Sequence, residues 1–544
     1  MNNIELIYSF TLALFLTIAA IPVLIKISGR LQLIDAPTSD RKVHDKEVPR
    51  SGGLGIFLGA MLPMFFLLDA DRQYLGIVIA STIIVIFGFL DDRFELNFKW
   101  KFLGQILAVI VVMMFGVTID KMPFANFSEP VWWISYPLTF FFLLGVTNAV
   151  NLADGLDGLA AGTILISLAL LTVLAFMCNN LPAAMIAISV IGGVMGFLRY
   201  NTYPAQIFMG DAGSQFLGFI SAALALVITQ AADSAVSPAL PLLILGLPIM
   251  DTLMVMTIRI YQGRSPFSPD KFHLHHRLLA LGLRHYEVVG VIYILHVSLI
   301  VIAYLLRFQE DALIVGVFIA YSGVIYGLLW GALKFGWVFR NYQFSNEGIE
   351  RRNMFLRKFD WYYIYSSFVI EYAVAFFLVV AALLIGPIQF QFAVAALILA
   401  VVLVLTSFAV RSMPMFSARL CCYSASVYVV YLLSQTELSI WMANSINIFL
   451  VVLAVALMLG IRMTRRQDFR LDTQDLLVLL MLLAIPQLPF DTLTANSIGE
   501  IALRLAVLMY CCEFLLGRGL RRYSVLKFAS VASLGAIGLT SLLI

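Results

Sequence analysis

The sequence predicts an all-α polytopic integral membrane protein with about eighteen transmembrane helices. Of its 544 residues, 61% are hydrophobic and only 12% are charged. The mean hydropathy is +0.95. Apolar runs of membrane-crossing length recur along the whole chain. Eleven fall near 5–27, 51–68, 74–90, 102–119, 132–149, 158–177, 182–198, 212–231, 238–260, 287–306 and 313–334. Seven more follow near 362–386, 392–410, 420–435, 442–460, 475–488, 498–516 and 525–543. The first run is too long for a signal-peptide core and no small-residue cleavage site follows it, so a retained span is expected.

The formal net charge of +3 says less than the placement of the basic residues. With the N-terminus outside, alternate connections hold 31 of the 35 Lys and Arg; only Arg72, Lys121, Arg307 and Arg504 lie elsewhere. The positive-inside rule makes those connections cytoplasmic. Membrane lipids are the expected surroundings, and no nucleic-acid partner is expected. The five cysteines include the adjacent pairs Cys421-Cys422 and Cys511-Cys512 inside apolar runs. They fit packing better than a disulfide framework.

The inner loops of the first part carry the chemistry, which divides the chain into a core over 1–334, a basic linker loop over 335–361 and a helical extension over 362–544. The first inner loop contains Arg41, Lys42 and His44, then Pro49-Arg-Ser-Gly-Gly-Leu-Gly55. Bases before a glycine-rich helix start suit an anion, although a basic loop is also an ordinary topology determinant. The second holds Asp91-Asp92. Adjacent carboxylates at a helix end repel each other and suit a base or a metal, or else a plain helix-ending turn. Lys101 opens the next helix within reach of a phosphate.

The third inner loop follows Asn148, Asn151, Asp154 and Asp157, which recur every three residues and share one face if the helix continues. Their oxygens suit a hard cation such as Mg2+, with Mn2+ as a substitute. Gly210-Asp211-Ala-Gly-Ser214 offers another oxygen ligand, and Phe208 before it offers a ring for a nucleobase or a core contact. In the last loop His273, His275, His276 and Arg277 suit hydrogen bonding to a diphosphate. Zinc is the alternative, but no cysteine or acidic residue stands at a familiar zinc spacing. Asp251 either orients this loop or pairs with Arg259.

Taken in order, Asp91-Asp92, Asn148 to Gly158, Phe208 to Ser214 and His273-Leu-His275-His276-Arg277 resemble the polyprenyl-phosphate N-acetylhexosamine-1-phosphate transferase family, glycosyl transferase family 4. The resemblance covers roughly residues 1–334. The His-x-His-His-Arg form and the Arg41-Lys-x-His44 loop look like the branch that starts O-antigen, enterobacterial common antigen or teichoic-acid linkage synthesis. The peptidoglycan branch, which transfers phospho-MurNAc-pentapeptide, usually has three consecutive histidines there.

The resemblance implies transfer of N-acetylhexosamine-1-phosphate, most simply GlcNAc-1-phosphate, from a UDP-sugar to undecaprenyl phosphate, with release of UMP. It implies Asp211 and Asn151 as Mg2+ ligands, with Lys101 and the histidine loop on the diphosphate. Asp91 or Asp92 would deprotonate or position the lipid phosphate. Asn148, Asp154 and Phe208 would line the uridine side, with Asp157 beside them. Downstream glycosyltransferases and a second copy of the chain are the protein partners it allows. The extension departs from the family pattern and is expected to dock partners or channel lipid. A transporter would place its groups near the midplane in repeated halves, and an inactive scaffold would lack a key carboxylate; neither fits.

Overall fold

Inside a bilayer every backbone polar group must be satisfied within the chain, so apolar runs become helices. The computed structural model describes residues 3–337 apart from 36–46, 68–70, 123–130, 232–233 and 266–271, residues 360–462 apart from 387, 389, 410–413, 435 and 437, and residues 504–543 apart from 506, 513 and 516–523. Arg41, Lys42 and His44, the run 475–488 and most of the 335–361 loop lie outside the described residues.

The chain divides into two compact units. The first contains α1 (Asn3–Leu31), β1 (Ile34–Asp35), β2 (Val48–Pro49), α2 (Gly52–Leu67), α3 (Arg72–Phe94), α4 (Phe98–Met114), α5 (Trp132–Ala153), α6 (Leu159–Met177), α7 (Leu181–Asn201) and α8 (Gly210–Gln230). It continues with α9 (Pro241–Ile244), α10 (Gly246–Tyr261), α11 (Leu274–Ala280), α12 (His285–Leu305) and α13 (Asp311–Lys334). The second contains α14 (Asp360–Leu384), α15 (Phe390–Ala409), α16 (Pro414–Ser434), α17 (Ile440–Arg462) and α18 (Ser524–Leu543). Among the described residues ten helices are long and apolar enough to cross a membrane. The protein is therefore an all-α, multi-pass membrane protein.

Two local departures from the sequence reading have clear causes. β1 and β2 form a short antiparallel ladder, Ile34 opposite Pro49 and Asp35 opposite Val48, closed by an Arg50–Asp35 ion pair at 2.6 Å. The predicted run 238–260 is two helices, broken at Leu245. Inside the bundle, Ser167 Oγ donates to the Ile244 carbonyl at 2.7 Å, and His296 Nε2 lies 2.9 Å from the same hydroxyl.

In the first unit α8 is the centre. Its residues Ala212 to Thr229 are all buried, and α2, α3, α5, α6 and α7 pack around it. Backbones meet closely at its start: a Cβ on Gly53 of α2 would lie 2.2 Å from the Gly213 nitrogen, and one on Gly88 of α3 would lie 2.5 Å from Ala212 Cα. The loops beside them pair backbone to backbone, Phe208 N to Pro49 O at 2.7 Å, Gly52 N to Phe208 O at 2.9 Å and Gly53 N to Met209 O at 2.8 Å. In the second unit Ile370, Val374, Leu378, Cys422 and Cys512 share one buried cluster. The cysteines there are free thiols packed as apolar side chains. Arg504 donates to Asn447 Oδ1 at 3.1 Å.

Close approach at Gly53 makes a direct expectation. Gly53→Ala overpacks the α2–α8 crossing at a cost of about 1–3 kcal/mol, and the thermal unfolding midpoint of the purified protein falls. Gly145→Ala, whose added Cβ would meet nothing within 4 Å, leaves the midpoint unchanged or slightly higher.

Candidate active site

The start of α8 sets the site. Gly210 has φ +72°, a left-handed turn that favours glycine, and a Cβ there would lie 2.6 Å from both Arg50 O and Asp92 Oδ2. The turn aims the first amides of α8 at α3. Asp92 Oδ1 accepts from Asp211 N at 2.8 Å and Asp92 Oδ2 accepts from Ala212 N at 3.0 Å. One carboxylate thus satisfies two orphan donors of a buried helix end and complements its dipole.

The adjacent pair is split in role by this geometry. Asp91 instead meets α4, where Lys101 Nζ bridges it at 3.0 Å and Asp211 Oδ1 at 2.8 Å. Asn151 joins from the end of α5: its Oδ1 accepts at 2.6 Å from the hydroxyl of Ser214, three residues after Asp211 on α8. Asp91, Lys101, Asn151 and Asp211 therefore meet, brought from α3, α4, α5 and α8. Two carboxylates share the Lys101 ammonium, and the Asn151 amide oxygen is held nearby by Ser214. Oxygen donors of this kind suit a hard divalent cation that keeps phosphate and water in its other positions.

Behind this charged group lies a layer that the motifs did not reveal. Gln105 Nε2 donates to Gln215 Oε1 at 2.9 Å and approaches Asn148 Oδ1 at 3.3 Å. Asn148 Nδ2 donates to Gln105 Oε1 and to Leu144 O, both at 2.8 Å. Gln105 and Gln215 are 1% and 2% exposed. Each stands four residues after a charged partner, Lys101 or Asp211, and that spacing was the available signal.

The helical face expected for Asn148, Asn151, Asp154 and Asp157 does not continue. α5 ends at Ala153 with Asp154 as its cap, and Gly158 turns left-handed at φ +78° before α6. Asp157 Oδ2 instead accepts from Ala205 N at 2.9 Å, and Tyr293 OH donates to Gly158 O at 2.6 Å. Asp154 is solvent-exposed just past the end of α5. Desolvation by nearby protein, then Asp211 and Asp157, pushes its carboxyl up to about 7. Phe208 is half-buried, its backbone held by Pro49 and Gly52.

The histidine loop is fixed from α10 and α13. Asp251 accepts from Leu274 N at 2.7 Å and from Tyr326 OH at 2.8 Å, and its Oδ2 lies 2.8 Å from His273 Nδ1. Of the two roles open to Asp251, orienting the loop is the one seen. With Nδ1 committed, His273 keeps Nε2 for another group. His275 is buried against the loop after α5, where a Cβ on Gly155 would lie 2.4 Å from Nε2. Burial, then neighbouring His276, pulls the His275 imidazole down to about 3. Its ring centroid lies 4.2 Å from that of His276 and 5.9 Å from that of His273. Among the described residues no three His, Cys, Asp or Glu side chains converge as a ligand set. Arg277 Nε donates to Phe272 O at 2.9 Å, with its guanidinium over the Phe272 and Tyr326 rings.

Residues 74–229, which span α3 to α8, match the family model described as glycosyl transferase family 4. A protein of Bacillus subtilis named probable undecaprenyl-phosphate N-acetylglucosaminyl 1-phosphate transferase is 37% identical over 295 residues, 54% of this chain and 82% of that protein. The decaprenyl-phosphate N-acetylglucosaminephosphotransferase of Mycobacterium tuberculosis H37Rv is 34% identical over 305 residues, 49% of this chain and 74% of that protein. The undecaprenyl-phosphate alpha-N-acetylglucosaminyl 1-phosphate transferase of Escherichia coli K12 is 29% identical over 265 residues, 47% of this chain and 72% of that protein. With its two acidic helix ends joined by Lys101 inside the matched segment, the chain belongs to glycosyl transferase family 4.

Proposed function

We propose that this protein transfers N-acetylhexosamine-1-phosphate, with GlcNAc the first candidate sugar, from a UDP-sugar to undecaprenyl phosphate, releasing UMP. The observation that carries the reading is Lys101 held between Asp91 and Asp211, beside relatives named for this reaction. An oxygen of the lipid phosphate bonds to the sugar-bearing phosphorus, and the bond from that phosphorus to the bridging oxygen of UMP breaks. Asp211 and Asn151 would hold Mg2+, or Mn2+ in its place, which supplies charge neutralisation on the diphosphate.

The chain's own groups divide the remaining work. Asp91 positions the acceptor or takes its proton, because Asp92 has both oxygens committed to the start of α8. Lys101, His273, His276 and Arg277 offset the charge of two anions brought together. His275 stays neutral and packs. Asp154, Asp157 and Phe208 lie on the nucleotide side, the aspartates shaping the loop and Phe208 offering its ring. The finer topology belongs to the same proposal: about eighteen spans, N-terminus outside, the site on the cytoplasmic face of a bacterial inner membrane. The product would start a cell-envelope polysaccharide such as O-antigen, and the extension would dock downstream glycosyltransferases, a second copy or the lipid.

Radiolabelled UDP-GlcNAc, undecaprenyl phosphate and Mg2+ test the reaction. Wild type forms labelled lipid and Asp211→Ala does not; no lipid and no UMP from wild type across a panel of UDP-N-acetylhexosamines would overturn the reading. Asp91→Asn lowers the rate by about 100-fold or more with the unfolding midpoint held. Asp92→Asn lowers midpoint and rate together, as loss of a helix cap costing about 1–2 kcal/mol requires. The charge on Asp154 predicts a pH effect of defined sign. Its folded pKa lies above the ordinary carboxylate value, so ionising it destabilises the fold, a cost absent near pH 4 and complete above about 7. In EDTA, Asp154→Asn matches wild type near pH 4 and unfolds at the higher temperature at pH 8.

A further inference from the structure

The charged group and the amides behind it form two tiers on the same three helices. Lys101 and Gln105 are one turn apart on α4, Asp211 and Gln215 on α8, and Asn151 and Asn148 on α5. The upper tier meets substrate chemistry. In the lower one, both hydrogens of Asn148 Nδ2 are used, by Gln105 Oε1 and Leu144 O, and both hydrogens of Gln105 Nε2 are directed at Gln215 and Asn148.

We propose that Gln105, Asn148 and Gln215 are positioning residues, an amide tier that sets the rotation of α4, α5 and α8 and so registers Lys101 and Asn151 against Asp211. This rests on the transferase reading above, and it moves Asn148 from nucleotide contact to support. Neutral amides suit the task. A charge one turn deeper would be costly at that burial, and an apolar side chain would pack without fixing rotation. Hydrogen bonds have direction, and a turn of any one helix breaks a bond to another. Gln215 Nε2 is buried without a partner, so its acceptor oxygen, bonded by Gln105, is what the tier uses. Leaving that donor unmet carries a cost that an apolar residue would avoid, which argues for a role beyond packing.

The test uses the full-length protein in detergent with UDP-GlcNAc, undecaprenyl phosphate and Mg2+. Gln105→Met, Gln215→Met, their double variant and Asn148→Leu are compared for kcat, for KM of UDP-GlcNAc and for its equilibrium binding without acceptor. Thermal midpoints are measured on the same preparations. Each single variant is expected to lose about tenfold in kcat, with KM and binding within twofold and the folded fraction unchanged. The double variant loses no more than either single one, since the two amides act through one bond. Unchanged kcat in all variants overturns the proposal, as does a tenfold rise in KM for Asn148→Leu alone, which would return Asn148 to the nucleotide. A kcat loss that tracks the folded fraction overturns it as well. An inactive wild type, by contrast, defeats the transferase reading rather than the tier.

Discussion

A helix buried along its length must have its first backbone donors met from within the protein, and in α8 that requirement falls on Asp92. The carboxylate is brought by α3, which can approach because Gly88 leaves room against Ala212. It receives the amides of Asp211 and Ala212 because Gly210 turns the chain through a left-handed conformation. Once α8 is anchored there, Asp211 faces Lys101, and Lys101 in turn reaches back to Asp91. The neighbouring aspartates thus do different things: Asp92 is committed to the start of α8, and Asp91 shares the Lys101 ammonium with Asp211.

That division explains why so much polar chemistry is tolerated at a bundle end. Isolated charges in a low-dielectric setting are costly, and the cost falls when each has a partner of opposite charge or a directed donor. Here Asp91 and Asp211 share one ammonium, Asp92 takes two backbone N–H groups, and Asp251 takes Leu274 N and Tyr326 OH beside His273. The same pairing imposes precision. Lys101 is held at 2.8 and 3.0 Å from its two partners, so a diphosphate would meet a cation whose position is already set.

The site was legible in the sequence where polarity interrupted an apolar run. Asp91, Asp92, Asn151, Asp154 and Asp211 stood out because such groups are expensive near lipid, and Lys101 because it opened a span. The roles within those groups were not legible. Nothing in Asp91-Asp92 says which carboxylate caps a helix from another part of the chain, and nothing in Asp251 chooses between Arg259 and His273. The glycines at 155 and 158 signalled a turn, but the three-residue spacing of Asn148 to Asp157 suggested a continuing helix, and the turn prevailed. Gln105 and Gln215 were missed because a lone glutamine inside a helix carries no motif; only their four-residue offsets from Lys101 and Asp211 mark them.

The break in the run 238–260 shows the limit of hydropathy as a guide. The segment is apolar throughout, so composition supports one span. Yet Gly246 packs so closely that a Cβ would lie 2.6 Å from Leu299 Cδ2, and Ser167 caps the carbonyl released at Ile244. An interruption of this kind is sustainable only inside protein, where a side chain can replace the lost backbone partner. Its consequence reaches the site, because α10 begins afresh after the break and carries Asp251. From α10, Asp251 then fixes the histidine loop, with its Oδ2 2.8 Å from His273 Nδ1 and its Oδ1 accepting from Leu274 N.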